Sequence, residues 1–127
     1  MRRMIGIVVG VFVCAMALCG LSEYSIDRFC DHALHLRTRA IEYMDAGDVQ
    51  QAEATLAELA AHLNGNAAWL EVLCEHDDLH EIKAEIIDAQ ASIEFGIEDD
   101  FYQAIYRFGE GIEHISDIER MRFSNLY

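Results

Sequence analysis

The chain contains no proline, a single tryptophan and only nine basic residues against 23 acidic ones among its 127 residues. Without proline no helix is forced to kink, so one helical segment can continue directly into the next. The net charge of −14 repels nucleic acid and anionic surfaces, and we expect no nucleic-acid partner. The sequence also lacks a serine nucleophile elbow, a phosphate-binding glycine loop and paired carboxylates suited to hydrolysis. We therefore expect a protein that is not an enzyme, and we assign it no catalytic residues, cofactor or metal.

One long stretch without charge stands near the start of the chain. Met4 to Leu21 comprises 18 uncharged, mostly apolar residues and follows Arg2 and Arg3. At about 1.5 Å per residue, a helix of this length nearly spans a hydrocarbon layer of about 30 Å, which makes the lipid bilayer its expected partner. Basic residues before a first span tend to stay in the cytoplasm, which predicts a single pass with a cytoplasmic N-terminus. We thus divide the chain into a membrane anchor, residues 1–21, and an acidic extracytoplasmic domain, residues 22–127.

The same run also fits a cleavable signal peptide. Ile5 to Cys14 would be its apolar region, and Ala15 and Ala17 would form the small-x-small cleavage pattern. A lipoprotein anchored at Cys19 is disfavoured, because Leu18 occupies the preceding position, where a small residue is wanted. Cleavage of the anchor is left open at this point.

Beyond the anchor, 106 residues remain, which is enough for one small domain with a single core. From Ile26 onward apolar residues recur at steps of three and four, as in amphipathic helices that bury one stripe. This spacing predicts four helices, A to D. The breaks are predicted after Asp45 at Ala46–Asp48, at Asn64–Asn66, at Gly96, and at a capping box of Ser116 and Glu119 before a short terminal turn. Because short connections make successive helices antiparallel, the predicted fold class is all-α: a transmembrane helix followed by an antiparallel four-helix bundle of two helical hairpins.

All six histidines fall on segments that such a bundle brings to one end, close to the anchor. The start of helix A, the end of B, the start of C and the end of D meet there. These segments carry His32, His35, His62, His76, His80 and His114, together with Cys30 and Cys74. The two cysteines, on helices A and C, predict either a disulfide, for which their Cα atoms must lie within about 7 Å, or two buried thiols.

Three of these histidines allow alternative interpretations. His76 and His80 stand four residues apart on one helix face, so with His114 they could hold a zinc ion that keeps one position open. The sequence lacks the glutamate that directly follows the first histidine in a metalloprotease motif. In a structural interpretation, His76 and His114 instead form hydrogen bonds between helices, with Trp69 packed above them. A third interpretation is a pH sensor, in which protonation places like charges together.

Several elements of the sequence occur in the order typical of a known family. They are the basic start with its apolar helix, then Gly47-Asp48 with Ala52, Trp69-Leu70, His76-Asp77-Asp78-Leu79 with Ile82, Ala104, His114-Ile115 and Asn125-Leu126. In this order they resemble the DUF4363 family, small proteins of mostly Gram-positive bacteria. The departures from the family pattern are Gly96, Gly109, Gly111, Cys30 and Cys74. The resemblance implies a membrane-anchored helical domain of unknown activity, often encoded beside a small multi-pass membrane protein.

We therefore expect a membrane-anchored, extracytoplasmic accessory protein that lacks catalytic activity and serves another membrane protein through protein–protein interaction. The alternative is a metal-binding, or metal- or pH-sensing, protein that uses the histidine cluster at the membrane-proximal end of the bundle. The sequence leaves the oligomeric state and the identity of the partner open.

Overall fold

The computed structural model describes residues 2–126, and their side chains except at positions 22, 23, 119 and 122–126. Within this range the chain is all-helical, without strands. Its four helices are α1 (Arg2–Asp45), α2 (Val49–Leu73), α3 (His76–Phe95) and α4 (Glu98–Leu126). Helix α1 is 44 residues long and therefore extends about 66 Å. It joins the apolar run to the first bundle helix without a break, as the absence of proline predicts.

The four helices pack in a ring. Helix α1 lies beside α2 and α4, and α3 lies beside the same two helices, whereas no described Cα atoms of the diagonal pairs, α1 with α3 and α2 with α4, approach within 8 Å. At one end of the ring the Tyr102 hydroxyl donates to Asp45 Oδ1 at 2.6 Å. Nearer the other end Cys30 Sγ lies 3.9 Å from the Ile112 carbonyl oxygen. These two contacts support the predicted antiparallel arrangement of the first and last helices.

A single core fills the ring from all four helices. The predicted stripe of α1, from Ile26 to Met44, is buried, and every helix contributes to one cluster of buried apolar side chains. Its largest fully buried members are Phe101, Phe108, Ile26, Leu36, Leu56, Leu59, Leu63, Leu70, Leu79, Ile86, Ile105 and Ile112. Burial of this common stripe is the main contribution to the stability of the bundle.

The first and third predicted breaks are confirmed. Gly47 and Gly96 have φ values of 77° and 73°, in the left-handed region that favours glycine after a helix. The side chain of Asp48 accepts a hydrogen bond from the Gln51 backbone N–H at 3.2 Å, and so it caps α2 as expected. Local chemistry therefore fixes the two hairpin turns far from the apolar segment.

Two other predicted breaks are wrong. Helix α2 continues through Asn64–Asn66 to Leu73, because the buried stripe runs on from Leu63 to Leu70 and outweighs the cost of about 1 kcal/mol for a glycine inside a helix. The break lies instead at Cys74 and Glu75, between α2 and α3. Helix α4 likewise continues through Ser116 to Leu126. The Glu119 side chain, and with it the predicted capping box, lies outside the described side chains.

Two of the glycines that depart from the family pattern are explained by packing. A β-carbon at position 109 would overlap the guanidinium of Arg37, which crosses from α1 to α4 at this point. A β-carbon at Gly111 would lie 3.0 Å from Ile82 Cγ1 of α3. Glycine at each position therefore allows a neighbouring side chain to approach the α4 backbone, and the Nε of Arg37 is buried there without a hydrogen bond.

The apolar segment of α1 is separate from this core. From Met4 to Leu21 its side chains are exposed, apart from the half-buried Cys19. Among the described residues, α1 is the one helix long and apolar enough to cross a membrane, judged by length and composition. A stretch this apolar that is left almost entirely exposed is available to another apolar phase.

Candidate binding groove at the base of the bundle

A groove opens between α1 and α2 where α1 leaves the bundle toward its apolar segment. Its volume is about 690 Å³. The lining consists of Leu18, Leu21, Tyr24, Ser25, Arg28, Phe29 and His32 from α1, and of His62, Asn66, Trp69 and Leu73 from α2. No carboxylate lines it, although the chain as a whole is strongly acidic. We refer to this feature as the junction groove.

A chain of hydrogen bonds holds the α2 wall of the junction groove. Trp69 Nε1 donates to Asn66 Oδ1 at 2.8 Å, and Asn66 Nδ2 donates to the His62 carbonyl oxygen at 2.8 Å. The same amide nitrogen lies 3.4 Å from His62 Nδ1, and His62 Nε2 lies 3.2 Å from the Phe29 carbonyl oxygen on α1. The Trp69 indole, which needs an acceptor, is thus connected through two further side chains to the neighbouring helix.

Aromatic contacts reinforce the same wall. The rings of Phe29 and His62 stack with centroids 4.7 Å apart, and Trp69 meets Phe29 edge to face at 5.9 Å. His32 meets His62 edge to face at 4.6 Å. Offset and edge-to-face pairs add about 0.5–1.5 kcal/mol to the burial of their area, so this cluster locks α1 to α2.

One protonation state of His62 satisfies the whole network. A neutral ring with its proton on Nε2 donates to the Phe29 carbonyl and accepts the Asn66 amide at Nδ1. A protonated ring would instead present a second N–H to the Asn66 amide, and two donors would face each other. Burial lowers the pKa of His62 and the neighbouring His32 lowers it further, while the bond to Phe29 raises it; the net shift is downward. The geometry and the pKa therefore both favour the neutral form.

The α1 wall carries the cation of the junction groove. Arg28 Nη1 donates to the Tyr24 hydroxyl at 3.3 Å, and the guanidinium carbon lies 5.7 Å from the centre of the Tyr24 ring. No ion pair of Arg28 occurs among the described side chains; the one ion pair found there joins Arg107 and Glu85. Most of the five N–H donors of Arg28 are therefore available to a ligand.

The predicted zinc ligands are not assembled. His76 and His80 are exposed and stack with centroids 6.4 Å apart, whereas His114 lines a separate cleft with Asp78, Glu81 and Glu85. In the described part of the chain, no group of three or more His, Cys, Asp or Glu side chains is arranged to hold a metal ion. The structural interpretation also chose the wrong histidines, because Trp69 packs near His62 rather than above His76 and His114.

The two candidate cysteines lie on neighbouring helices rather than on a diagonal. Cys74 caps the C-terminus of α2, where its N–H donates to the Leu70 carbonyl at 2.7 Å, so its predicted place on the third helix is wrong. Burial, together with the charges of Cys74, Asp27 and Asp31, raises the pKa of the Cys30 thiol to about 12. Both residues are thiols in this structure, and a pKa this high makes Cys30 unreactive as a nucleophile.

The sequence interpretation missed the central residues of the groove wall, His62 and Asn66. The predicted break at Asn64–Asn66 concealed the relation between Asn66 and Trp69, which stand three residues apart on one face of a continuous helix. The available signal was the tryptophan itself, because a half-buried indole needs an acceptor nearby.

A comparison with family models decides the relationship of the chain. The model described as a domain of unknown function, DUF4363, matches residues 21–126. The chain belongs to the DUF4363 family. The DUF4363 match starts at Leu21 and so covers the junction groove except for Leu18, while residues 1–20 lie before it. No curated protein and no solved structure matches the chain.

Proposed function

We propose that this DUF4363 protein is a membrane-anchored accessory subunit without catalytic activity, whose helical domain lies outside the cytoplasm and binds another membrane protein. The observation that carries the proposal is the single uninterrupted helix α1. Its first part exposes an apolar surface and its second part supplies a buried stripe of the bundle. Arg2 and Arg3 before the span support an inward N-terminus.

The position of the junction groove supports the same proposal. It is the largest cleft that we describe, and Leu18 and Leu21 of the apolar segment form part of it. The opening of the groove at that level puts the surrounding α1–α2 surface, including the exposed Val72, within reach of a membrane-embedded partner. Trp69, Tyr24 and Arg28 are residues typical of membrane interfaces and of protein–protein contacts.

Photocrosslinking in native membranes tests the partner. A crosslinking amino acid at Val72, which is 83% exposed near the anchor end, is compared with one at Phe95, which is 75% exposed at the opposite end. We expect a discrete polypeptide adduct from Val72 that exceeds any adduct from Phe95. A chain that emerges from mild detergent only as a monomer, with no adduct from either position, contradicts the partner proposal.

Protease treatment of intact protoplasts tests the topology. An extracytoplasmic domain is degraded from outside while the membrane stays closed, and a cytoplasmic domain is protected until detergent is added. Extraction with alkaline carbonate checks the anchor, because an integral helix stays in the membrane fraction. Release of the full-length chain by carbonate, or protection of the domain from protease, contradicts this part of the proposal.

A second candidate function, pH sensing, is favoured by one observation. The Asn66 amide faces Nδ1 of His62, so protonation of that ring opposes the network that joins α1 to α2. The sensor would then use His62 and its neighbour His32 rather than His76 and His114. We expect acidification below about pH 6.5 to loosen the groove wall, seen as a change in Trp69 fluorescence that the substitution His62→Gln abolishes. A Trp69 signal that is flat between about pH 5 and 8 contradicts the sensor.

A further inference from the structure

The junction groove differs in charge from the clefts elsewhere on the bundle. The cleft between α3 and α4 is lined by Asp78, Glu81, Glu85 and Glu110, and the cleft beside Phe95 by Asp88 and Asp100; Arg107 lines both, so carboxylates outnumber cations in each. Among the described side chains, the junction groove is lined by Arg28 and two histidines and by no carboxylate. Of the three clefts, this groove therefore has the lining most favourable to an anionic group.

If the apolar segment is the membrane anchor proposed above, Arg28 lies at the level of the lipid headgroups. Arg28 lies seven positions after Leu21, which is about 10 Å along a helix. Helical side chains lean toward the N-terminus, and Arg28 follows this rule, since its guanidinium bonds to Tyr24 one turn earlier. The N-terminal direction of α1 is the direction of the bilayer, so the guanidinium reaches back into the interfacial layer.

The apolar residues of the groove continue the site toward the hydrocarbon. Along α1 the lining residues Leu18 and Leu21 come first, Tyr24 follows one turn later and Arg28 one turn after that, while Trp69 lines the groove from α2. A volume of about 690 Å³ is within the range of about 300–1,000 Å³ common for sites that hold small molecules. Along α1 the groove therefore offers aliphatic side chains at its N-terminal end and a cation farther on. This arrangement is complementary to an amphiphile with one anionic group.

We propose that the junction groove binds the phosphodiester headgroup of a glycerophospholipid from the outer leaflet. The phosphate accepts hydrogen bonds from the Arg28 guanidinium beside His32, and the upper part of one acyl chain packs against Leu18 and Leu21. The amides and ring nitrogens of Asn66, His62 and Trp69 are committed to one another, and they form the rigid wall against which the headgroup lies. A net acidic protein would in this way hold one phospholipid at its base.

The lone tryptophan makes this site directly observable. Trp69 is the single tryptophan of the chain and lines the groove, so its fluorescence reports occupancy without a label. Full-length protein is reconstituted in nanodiscs whose background lipid carries no phosphate, such as a diglucosyl diacylglycerol. Small fractions of lipid brominated near the top of the acyl chain are then added, either as phosphatidylglycerol, as phosphatidylcholine or as the same glycolipid. We expect both phospholipids to quench Trp69 at fractions about three- to tenfold lower than the brominated glycolipid does.

The chain offers a matched control for the arginine. Arg28 with Tyr24 and Arg39 with Tyr43 are two arginine–tyrosine pairs on α1, each with the guanidinium carbon 5.7 Å from the ring centre. Arg28 reaches toward the N-terminus of the helix, whereas Arg39 reaches toward its C-terminus. Arg39 lies 11 residues farther from the apolar segment. We expect Arg28→Gln to remove the preference for phospholipid and Arg39→Gln to leave it unchanged. An unchanged preference in Arg28→Gln, or equal quenching by the glycolipid, overturns the proposal.

Two further arms identify the source of the ligand. Soluble inorganic phosphate should neither quench Trp69 nor displace the brominated phospholipid, and displacement would show a site for the free anion instead. A photocrosslinker at His32 in native membranes should yield a lipid adduct, whereas a polypeptide adduct without lipid would give the groove to the protein partner and overturn the lipid proposal.

Failure of the anchor is separable from failure of the groove. A chain that does not enter nanodiscs, or that leaves membranes in alkaline carbonate, contradicts the membrane anchor itself. A chain that enters the discs and keeps its helical circular dichroism, yet shows no headgroup-dependent quenching of Trp69, contradicts only the phospholipid site.

Discussion

The α1–α2 face and the α3–α4 face of the bundle share one core and present opposite chemistry to solvent. The first face carries the junction groove, where stacked rings and neutral hydrogen bonds join the helices and no described side chain in the lining is a carboxylate. The second carries a cleft of about 470 Å³ lined by four carboxylates, in which Arg107, exposed, and Glu85, mostly buried, join the helices at 3.0 Å. The net charge of the chain therefore describes its average surface and does not reveal the different lining of the junction groove.

The largest expected effect concerns the core that the two faces share. Phe108 is fully buried, and Phe108→Ala should lower the free energy of unfolding by about 3–5 kcal/mol through lost burial and the cavity left behind. Denaturant unfolding followed by circular dichroism and by Trp69 fluorescence should give coincident curves, because both faces depend on one core. The control Tyr106→Ala, at a side chain 52% exposed on the same helix, should change stability by less than about 0.5 kcal/mol. Separate transitions for the two probes would show that the faces are independent.

The network of the α1–α2 face should give the next largest effect. Asn66→Ala removes the acceptor of the Trp69 indole and the amide that faces His62, which should cost about 1 kcal/mol. The matched control is Asn64→Ala, at an exposed position two residues earlier on the same helix. Both substitutions gain the same intrinsic helix propensity, so the difference between their unfolding free energies isolates the network. Equal unfolding free energies for the two variants would show that the hydrogen bonds of Asn66 do not stabilise the α1–α2 face.

Acidification should weaken the α1–α2 face selectively. The pKa of His62 is lowered in the folded protein, mainly by burial, so below about pH 6.5 the unfolded chain binds more protons than the folded one. Stability from this group is present above that pH and is lost as the pH falls toward the lowered folded value. The slope is limited to about 1.4 kcal/mol per pH unit, and because the groove is open to water the total should stay below about 1 kcal/mol. Parallel stability profiles for the wild type and His62→Gln between about pH 5 and 8 would contradict this assignment.

The smallest effect is expected on the α3–α4 face. Glu85→Gln breaks the ion pair with Arg107, whose side chain is 53% exposed, and should cost only about 0.2–0.5 kcal/mol at low salt. Because salt screens an exposed pair, the difference should disappear in thermal unfolding at about 1 M salt. A larger cost that survives high salt would mean that this face, like the other, depends on buried polar contacts.

The hydrophobic period determined most of what could be predicted from the sequence. The stripes of α1 and α4, the glycine turns at Gly47 and Gly96, and the Asp48 cap follow from residue spacing and local chemistry, and the structure confirms them. The break at Asn64–Asn66 was wrong because local turn propensity was given more weight than the continuing stripe from Leu63 to Leu70. Turn chemistry is a weak force where a helix can bury another turn of apolar residues.

The candidate site could be predicted only in its location. The predicted antiparallel arrangement correctly brings together, beside the apolar segment, the part of α1 that follows Leu21 and the end of α2. Which histidine is buried there depends on helix rotation, and the misplaced break shifted the register of His62, Asn66 and Trp69. The charge pattern of the sequence did not predict the groove either. Which described side chains surround Arg28 is known only from the three-dimensional structure.

Because α1 is unbroken, the tilt of its apolar segment and the position of the far end of the bundle are coupled. Twenty-four residues separate Leu21 from Asp45, a rigid length of about 36 Å outside the apolar segment. With the apolar segment embedded, a change of helix tilt of about 20°, within the range that bilayer thickness imposes on spanning helices, would swing the far hairpin turns sideways by about 12 Å. In that setting, a small change in the tilt of α1 would become a large displacement of the hairpin turns at the far end of the bundle.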